Sequence, residues 1–191
     1  TPPELRVKLL TTYNVGALGA AGKARPLFER YSQRLAQFAN AHNCDWVTVD
    51  TNLDALYRAV QLGFQQTHSL RNCAATMLVA GNVSVYLYSS SYAYPHVNRG
   101  VGDLAFHDPV ILPLLSRPGL RFISAGAGRS RLEKTIDVAN YPPLFSKLDV
   151  CIGSPDERAL SKRPNCSRCW KCSRALLTFE RLGVLEQYKE V

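Results

Sequence analysis

Four cysteines, Cys151, Cys166, Cys169 and Cys172, fall after residue 150 of a chain of 191 residues. Two residues separate Cys166 from Cys169, and two more separate Cys169 from Cys172. That spacing turns three sulfurs toward one centre, and zinc asks for four soft or borderline ligands in a tetrahedron. The nearest fourth candidate is Cys151, 15 residues earlier, across a loop bounded by Pro155 and Pro164. A metal that clips such a loop shut gives it order. Four thiolates leave no open coordination position, so the expected ion is structural, not hydrolytic. An iron–sulfur cluster makes similar demands on cysteine and is a second reading; buried thiols without metal are a third. Cys44 and Cys73 stand alone and read as small core residues.

The alternative use of six cysteines, as disulfides, fits an exported chain. The start, Thr1-Pro2-Pro3, has neither the basic nor the apolar segment of a secretory signal. A cytoplasmic setting is therefore expected. The start also lacks Met, which suggests a fragment, a processed product or a trimmed chain. No run approaches the roughly 20 apolar residues of a membrane span, so no membrane partner is expected. Hydrophobic residues make up 46% and charged residues 20% of the chain, which suits a globular fold and excludes a disordered one. The length favours one domain with a sizeable core.

Strand and helix signals alternate along the sequence. Strands are expected at Leu5–Tyr13, Asp45–Asp50, Val83–Tyr88, Leu120–Ser124 and Leu148–Ile152. A helix over Lys23–His42 should bury Leu27, Tyr31, Leu35 and Phe38, after a glycine-rich turn at Gly16, Gly19 and Gly22. Further helices are expected at Leu53–Tyr57, capped by Thr51-Asn52, at Leu70–Ala80, from Ser130 or Arg131 toward Asn140, and at Cys166–Leu182. Tyr92 to Asp108 reads as a long irregular stretch, followed by a helical turn at Leu112–Leu115. Alternation of this kind predicts an α/β fold with a mainly parallel sheet and helices on both faces. The expected division is an α/β nucleotide-binding-type domain over residues 1–150 and a zinc loop with its helix over 151–191. Ligands in such sheets sit at the C-terminal ends of strands. Asn14, Asp50, Ser89, Ser90 and Ser124 fall at such ends.

The formal charge is +8, from 23 basic and 15 acidic residues. Arg158, Lys162, Arg163, Arg168, Lys171 and Arg174 crowd around the cysteines. A run like this is either a solvated face offsetting thiolate charge or an anion-binding surface.

The segment Asn165-Cys166-Ser167-Arg168-Cys169-Trp170-Lys171-Cys172-Ser173-Arg174 resembles the zinc loop of 7-cyano-7-deazaguanine synthases and of their uncharacterised relatives among the PP-loop ATP pyrophosphatases. Other elements follow in the same order. Thr51-Asn52 follows a strand. His68, Arg71 and Asn72 resemble the family's arginine–asparagine helix opening. Ser89-Ser90-Ser91-Tyr92 resembles its serine turn, and Arg131, Glu133 and Lys134 its charged helix start. The resemblance spans roughly Val7 to Leu182 and implies an adenine nucleotide alpha hydrolase-like fold. It implies ATP and magnesium as co-reactants, and adenylation of a small-molecule carboxylate, with a nitrogen nucleophile then displacing AMP to form an amide or nitrile. The resemblance and the strand-end positions together make Asn14, Asp50, His68, Arg71, Asn72, Ser89, Ser90, Asp108, Arg131, Glu133 and Lys134 candidates for contact with nucleotide or substrate; the plainer readings are surface ion pairing for Arg71, Arg131 and Lys134, turn or loop capping for Asp50 and Asp108, and a capping or core role for His68. The resemblance also suggests a deazapurine-like acid from a queuosine-like biosynthetic route. The signature phosphate loop, Ser-Gly-Gly-x-Asp-Ser, is absent from the sequence. Leu5–Tyr13 then corresponds to the family's second strand, and the loop is expected on a preceding segment or on a second chain. The exposed strand edge that this leaves calls for a partner, a second copy included. The other class of function is a non-catalytic, zinc-stabilised binding module for nucleic acid or protein. The charge favours it; the lack of an evident aromatic–basic stacking motif counts against it.

Overall fold

The computed structural model describes residues 5–18, 21–97, 102–151 and 164–188. Gly19, Ile152, Pro155, Arg158, Lys162 and Arg163, all named above, lie outside the described residues. The chain forms two compact units, Thr1–Gly128 and Arg129–Val191. The helix after Ser130 therefore belongs with the cysteine region, not with the preceding α/β unit.

The first unit contains β1 (Leu9–Asn14), α1 (Ala21–Ala41), β2 (Asp45–Asp50), α2 (Leu53–Ala59), α3 (Phe64–Leu78), β3 (Val85–Ser89), α4 (Asp108–Leu114) and β4 (Arg121–Ala125). β1 pairs with β2 in parallel, Asn14 opposite Asp50 at the C-terminal ends. β3 pairs with β4 in parallel, Ser89 opposite Ala125. The mixed α/β character and the parallel pairing agree with the sequence. The continuous sheet with helices on both faces does not form among the described residues, where two separate two-stranded sheets stand instead. Side chains, not a backbone ladder, link β1 to β3. The Tyr13 and Tyr86 rings lie 6.2 Å apart, and Thr76 Oγ1 donates to Tyr13 Oη at 3.1 Å.

α3 contributes a residue to each of the two core clusters of this unit. Ala75 joins Tyr13 and Val15 of the first strand region. Cys73 joins Leu112, Leu120 and Phe122, as expected of a small core thiol; burial pushes its pKa up to about 12. α1 buries Ala24, Leu27, Phe28 and Ala39. The expected stripe is thus rotated, and Leu35 is exposed. Small alanines let α1 approach the chain closely, which a periodicity of large side chains does not reveal.

The second unit contains α5 (Arg131–Ala139) and α6 (Trp170–Arg181). Its core is Ala139, Ala175, Phe179 and Tyr188, with Phe145, Leu148 and Val150 against them. Phe179 and Tyr188 stack at 4.0 Å, and Tyr188 Oη donates to the Val138 carbonyl at 2.6 Å. Ser130 and Glu133 close a capping box at the start of α5.

Leu148 to Cys151, expected as strand, is irregular. The Asn165 side chain takes the place of a neighbouring strand. Its Oδ1 accepts from Val150 N at 2.9 Å, and its Nδ2 donates to the Leu148 carbonyl at 2.8 Å. The last helix starts at Trp170, not at Cys166, because Ser167 takes a left-handed φ of 55° and Cys169 serves as the N-cap.

Candidate metal centre and the polar cluster at the strand ends

The asparagine clamp brings Cys151 beside the turn that carries the other three cysteines. The four sulfurs lie within 4.8 Å of one another. Cys169 Sγ and Cys172 Sγ are 3.4 Å apart. A tetrahedral ion with bonds of about 2.3 Å to sulfur sets its ligands about 3.8 Å apart. The donor set therefore fits one tetrahedral metal ion such as zinc, with small adjustments. All four are free thiols, two buried and two half-buried.

The local backbone prepares thiolates. The Cys169 amide donates to Cys166 Sγ at 3.3 Å. Hydrogen bonds from the Arg168 and Cys169 amides hold the Cys166 thiol below its ordinary pKa. Burial drives Cys172 the other way, to about 12. A bound cation reverses that penalty, because a coordinating thiol is deprotonated outright. A closed set of four could hold one ion, which would then have no open position for substrate.

A second cluster lies in the first unit, at the C-terminal end of β3. His68 on α3 is buried, with Nε2 3.0 Å from Asp103 Oδ1 and Nδ1 2.9 Å from Tyr88 Oη. Ser69 Oγ lies 3.3 Å from the same Nδ1 and donates to Asp108 Oδ1 at 2.5 Å. Tyr92 Oη donates to Asp103 Oδ2 at 3.2 Å. Asp108 Oδ2 is buried without a hydrogen-bond partner among the described residues.

The two carboxyls are driven apart. Burial lifts Asp108 to about 6, against the lowering effects of the Ser69 hydrogen bond and nearby His68. Burial also raises Asp103, but hydrogen bonds from His68 and the Ala105 amide outweigh it and leave Asp103 below its ordinary value. Ser69 joins Asp108 to His68, and His68 joins Asp103, in one hydrogen-bonded chain.

The other sequence candidates are placed as follows. Asn14 Nδ2 donates to Asp50 Oδ1 at 2.8 Å, at the open end of the first sheet. Ser89 is exposed, while Ser90 is buried and its amide donates to the Ala125 carbonyl. Asn72 Nδ2 donates back to the His68 carbonyl at 2.7 Å. Arg71 is fully buried. Its guanidinium donates to Asp54 Oδ1 at 2.9 Å, to the Val15 carbonyl at 3.0 Å and to Thr67 Oγ1 at 2.7 Å, and sits over the Tyr57 ring at 4.4 Å. These contacts make it an anchor within the fold. Arg131, Glu133 and Lys134 belong to the second unit. Glu133 is engaged by Ser130, whose amide donates to its Oε2 at 2.6 Å. Burial, then the charge of Arg131, disfavours the charged form of Lys134.

His68 and Asp108 are thus brought into one network, and the sequence missed the residues that connect them. Ser69, Tyr88 and Asp103 lie in segments without a motif, so no spacing announced them. No protein-family model, no curated protein and no solved structure matches the chain. Among the described residues no helix is long and apolar enough to cross a membrane.

Proposed function

We propose that this chain is the zinc-stabilised scaffold of an ATP-dependent adenylating enzyme similar to the 7-cyano-7-deazaguanine synthases. Cys151, Cys166, Cys169 and Cys172 hold one structural zinc ion. The ligand site lies at the C-terminal ends of the strands. The observation that carries the reading is the convergence of sequence candidates there: Asn14 with Asp50 at one sheet, and Ser89 with the His68–Asp108 network at the other. Parallel α/β units place ligands at this end of the sheet.

In this reading ATP and magnesium meet a phosphate loop carried by a segment outside the described residues or by a second chain. A small-molecule carboxylate is adenylated, pyrophosphate leaves, and a nitrogen nucleophile displaces AMP. His68, held between Asp103 and Tyr88, is the centre of the hydrogen-bonded chain along which the proton released by the nucleophile passes. Asp108, buried beneath the network, holds Ser69 against His68.

The test joins this chain to the residues encoded upstream and measures pyrophosphate release with ATP, magnesium and a panel of heterocyclic carboxylates. Turnover should appear and should fall by roughly 100-fold in His68→Gln, with zinc content unchanged. Failure of the extended chain to bind ATP would overturn the reading.

A further inference from the structure

Two of the four cysteines stand in a special relation to α6. Cys169 is the N-cap of the helix, in an extended conformation, and Cys172 is its third residue. An N-cap side chain reaches forward over the first turn toward the third helical residue. Sulfur stands here where a capping oxygen usually does, so Cys169 Sγ meets Cys172 Sγ, at 3.4 Å. Cys166 is engaged differently: its Sγ accepts from the Cys169 amide at 3.3 Å. Cys169 is half-buried and Cys172 is buried, so solvent reaches the Cys169 end of the pair first. The N-terminus of a 12-residue helix also favours negative charge on the capping sulfur. A half-exposed thiolate with a second sulfur at contact distance is the arrangement of a thiol pair that oxidises to a disulfide.

We propose that Cys169 and Cys172 form a peroxide-sensitive pair whose oxidation to a disulfide releases the metal. The proposal rests on the zinc reading above and is independent of the adenylation chemistry. The Cys169 thiolate attacks one oxygen of hydrogen peroxide. The O–O bond breaks, hydroxide leaves, and the sulfur, two electrons poorer, becomes a sulfenic acid. The Cys172 thiolate attacks that sulfur, the S–O bond breaks, and a second hydroxide leaves as the disulfide forms. Two thiolates and one peroxide thus give one disulfide and two hydroxides. The sulfurs need to close from 3.4 Å to about 2.05 Å. A thiolate is a metal ligand and a disulfide is not, so Cys151 and Cys166 remain as two donors where zinc takes four. The tie between Cys151 and the turn is lost with the ion, and Asn165 is left to bridge the two segments.

The experiment treats the metal-loaded chain with a small excess of hydrogen peroxide, follows zinc with a chromogenic chelator and blocks the remaining thiols with N-ethylmaleimide. Release of about one zinc should accompany loss of about two of the six thiols. Trypsin cuts after Arg168, Lys171 and Arg174. The bond should therefore appear by mass spectrometry as two linked peptides, Cys169–Lys171 and Cys172–Arg174, that separate on reduction. Dithiothreitol and added zinc should restore the starting metal content. Cys166→His keeps four zinc donors and leaves the pair intact, so it should give the same linked peptides. Zinc retained through oxidation, a bond from Cys169 to Cys151 or Cys166 in place of Cys172, or sulfinic acid at Cys169 beside an unreacted Cys172 would each overturn the proposal. So would metal binding not regained after reduction, which would make the oxidation damage and not a switch. Zinc measured before peroxide separates the two readings. A folded chain without metal overturns the zinc assignment, and metal release with it; a zinc-loaded chain that yields no linked peptides overturns the disulfide alone.

Discussion

Replacing Asp108 by asparagine should make the protein more stable at neutral pH and change how its stability depends on pH. The Asp108 carboxyl is 1% exposed. One oxygen accepts from Ser69, and the other has no hydrogen-bond partner among the described residues. Burial raises the folded-state pKa from 3.8 to about 6. The folded chain therefore keeps this proton at pH values where the unfolded chain has released it. A raised value contributes stability that is fully present below the unfolded pKa and is lost as pH rises through the folded one. A difference of about two pH units corresponds to about 3 kcal/mol lost between roughly pH 3 and pH 8, about half of it by pH 5. Asparagine keeps the acceptor for Ser69 and cannot ionise. Its amide adds a donor without a partner, a penalty of about 1 kcal/mol that does not vary with pH. Urea unfolding of the wild type and Asp108→Asn should then diverge as pH rises from about 4 and level off above about 7, the variant gaining about 2.5 kcal/mol relative to wild type across that interval. Asp103, held below its ordinary value, titrates below this interval. A difference that stays constant with pH would refute the reasoning, because Asp108 would then ionise as freely in the folded chain as in the unfolded one.

Two further substitutions probe the Arg71 anchor. Arg71→Met leaves the Val15 and Leu62 carbonyls and Thr67 Oγ1 without their donor, while Asp54 keeps Arg58 as its cation, and should cost about 2–4 kcal/mol in thermal or urea unfolding; a near-neutral effect would contradict the anchoring role. Gly16 has a φ of 110°, and a Cβ there would lie 2.6 Å from Arg71 Nη1 and from Asp54 Oδ1. Gly16→Ala should therefore lower stability by about 1–3 kcal/mol, and a variant as stable as the wild type would show that this turn is not pinned against the ion pair.

The sequence displayed what is local and missed what is assembled. Asp45–Asp50 was legible to the residue because its alternation and its flanking turns lie within a few positions. The knuckle was legible because metal-ligand spacing is a short-range constraint. The number of sheets was not, since strand pairing across α3 depends on how Tyr13, Thr76 and Tyr86 fill the interval between β1 and β3. The stretch Leu148 to Cys151 misled for a related reason: a side chain 15 or more residues away, Asn165, satisfies its backbone. Arg71 shows the limit of reading function from residue type. An arginine that resembles a phosphate ligand in sequence lies among Tyr57, Phe64, Asp54 and two carbonyls. His68 and Asp108 were both singled out, but Ser69, which joins them, has no signature, and Asp103 is recognisable only once the turn after it is in place.

The account rests most heavily on the four-cysteine centre, in which Asn165, a left-handed Ser167 and the N-cap Cys169 bring four sulfurs within 4.8 Å. Elemental analysis of the folded chain, purified without added metal, tests it directly. The account predicts about one zinc per chain, lost together with folded signal from the Arg129–Val191 unit in Cys169→Ser and retained in Cys44→Ser. A folded chain that carries no metal, or an equivalent of iron with the absorption of an iron–sulfur cluster, would contradict it.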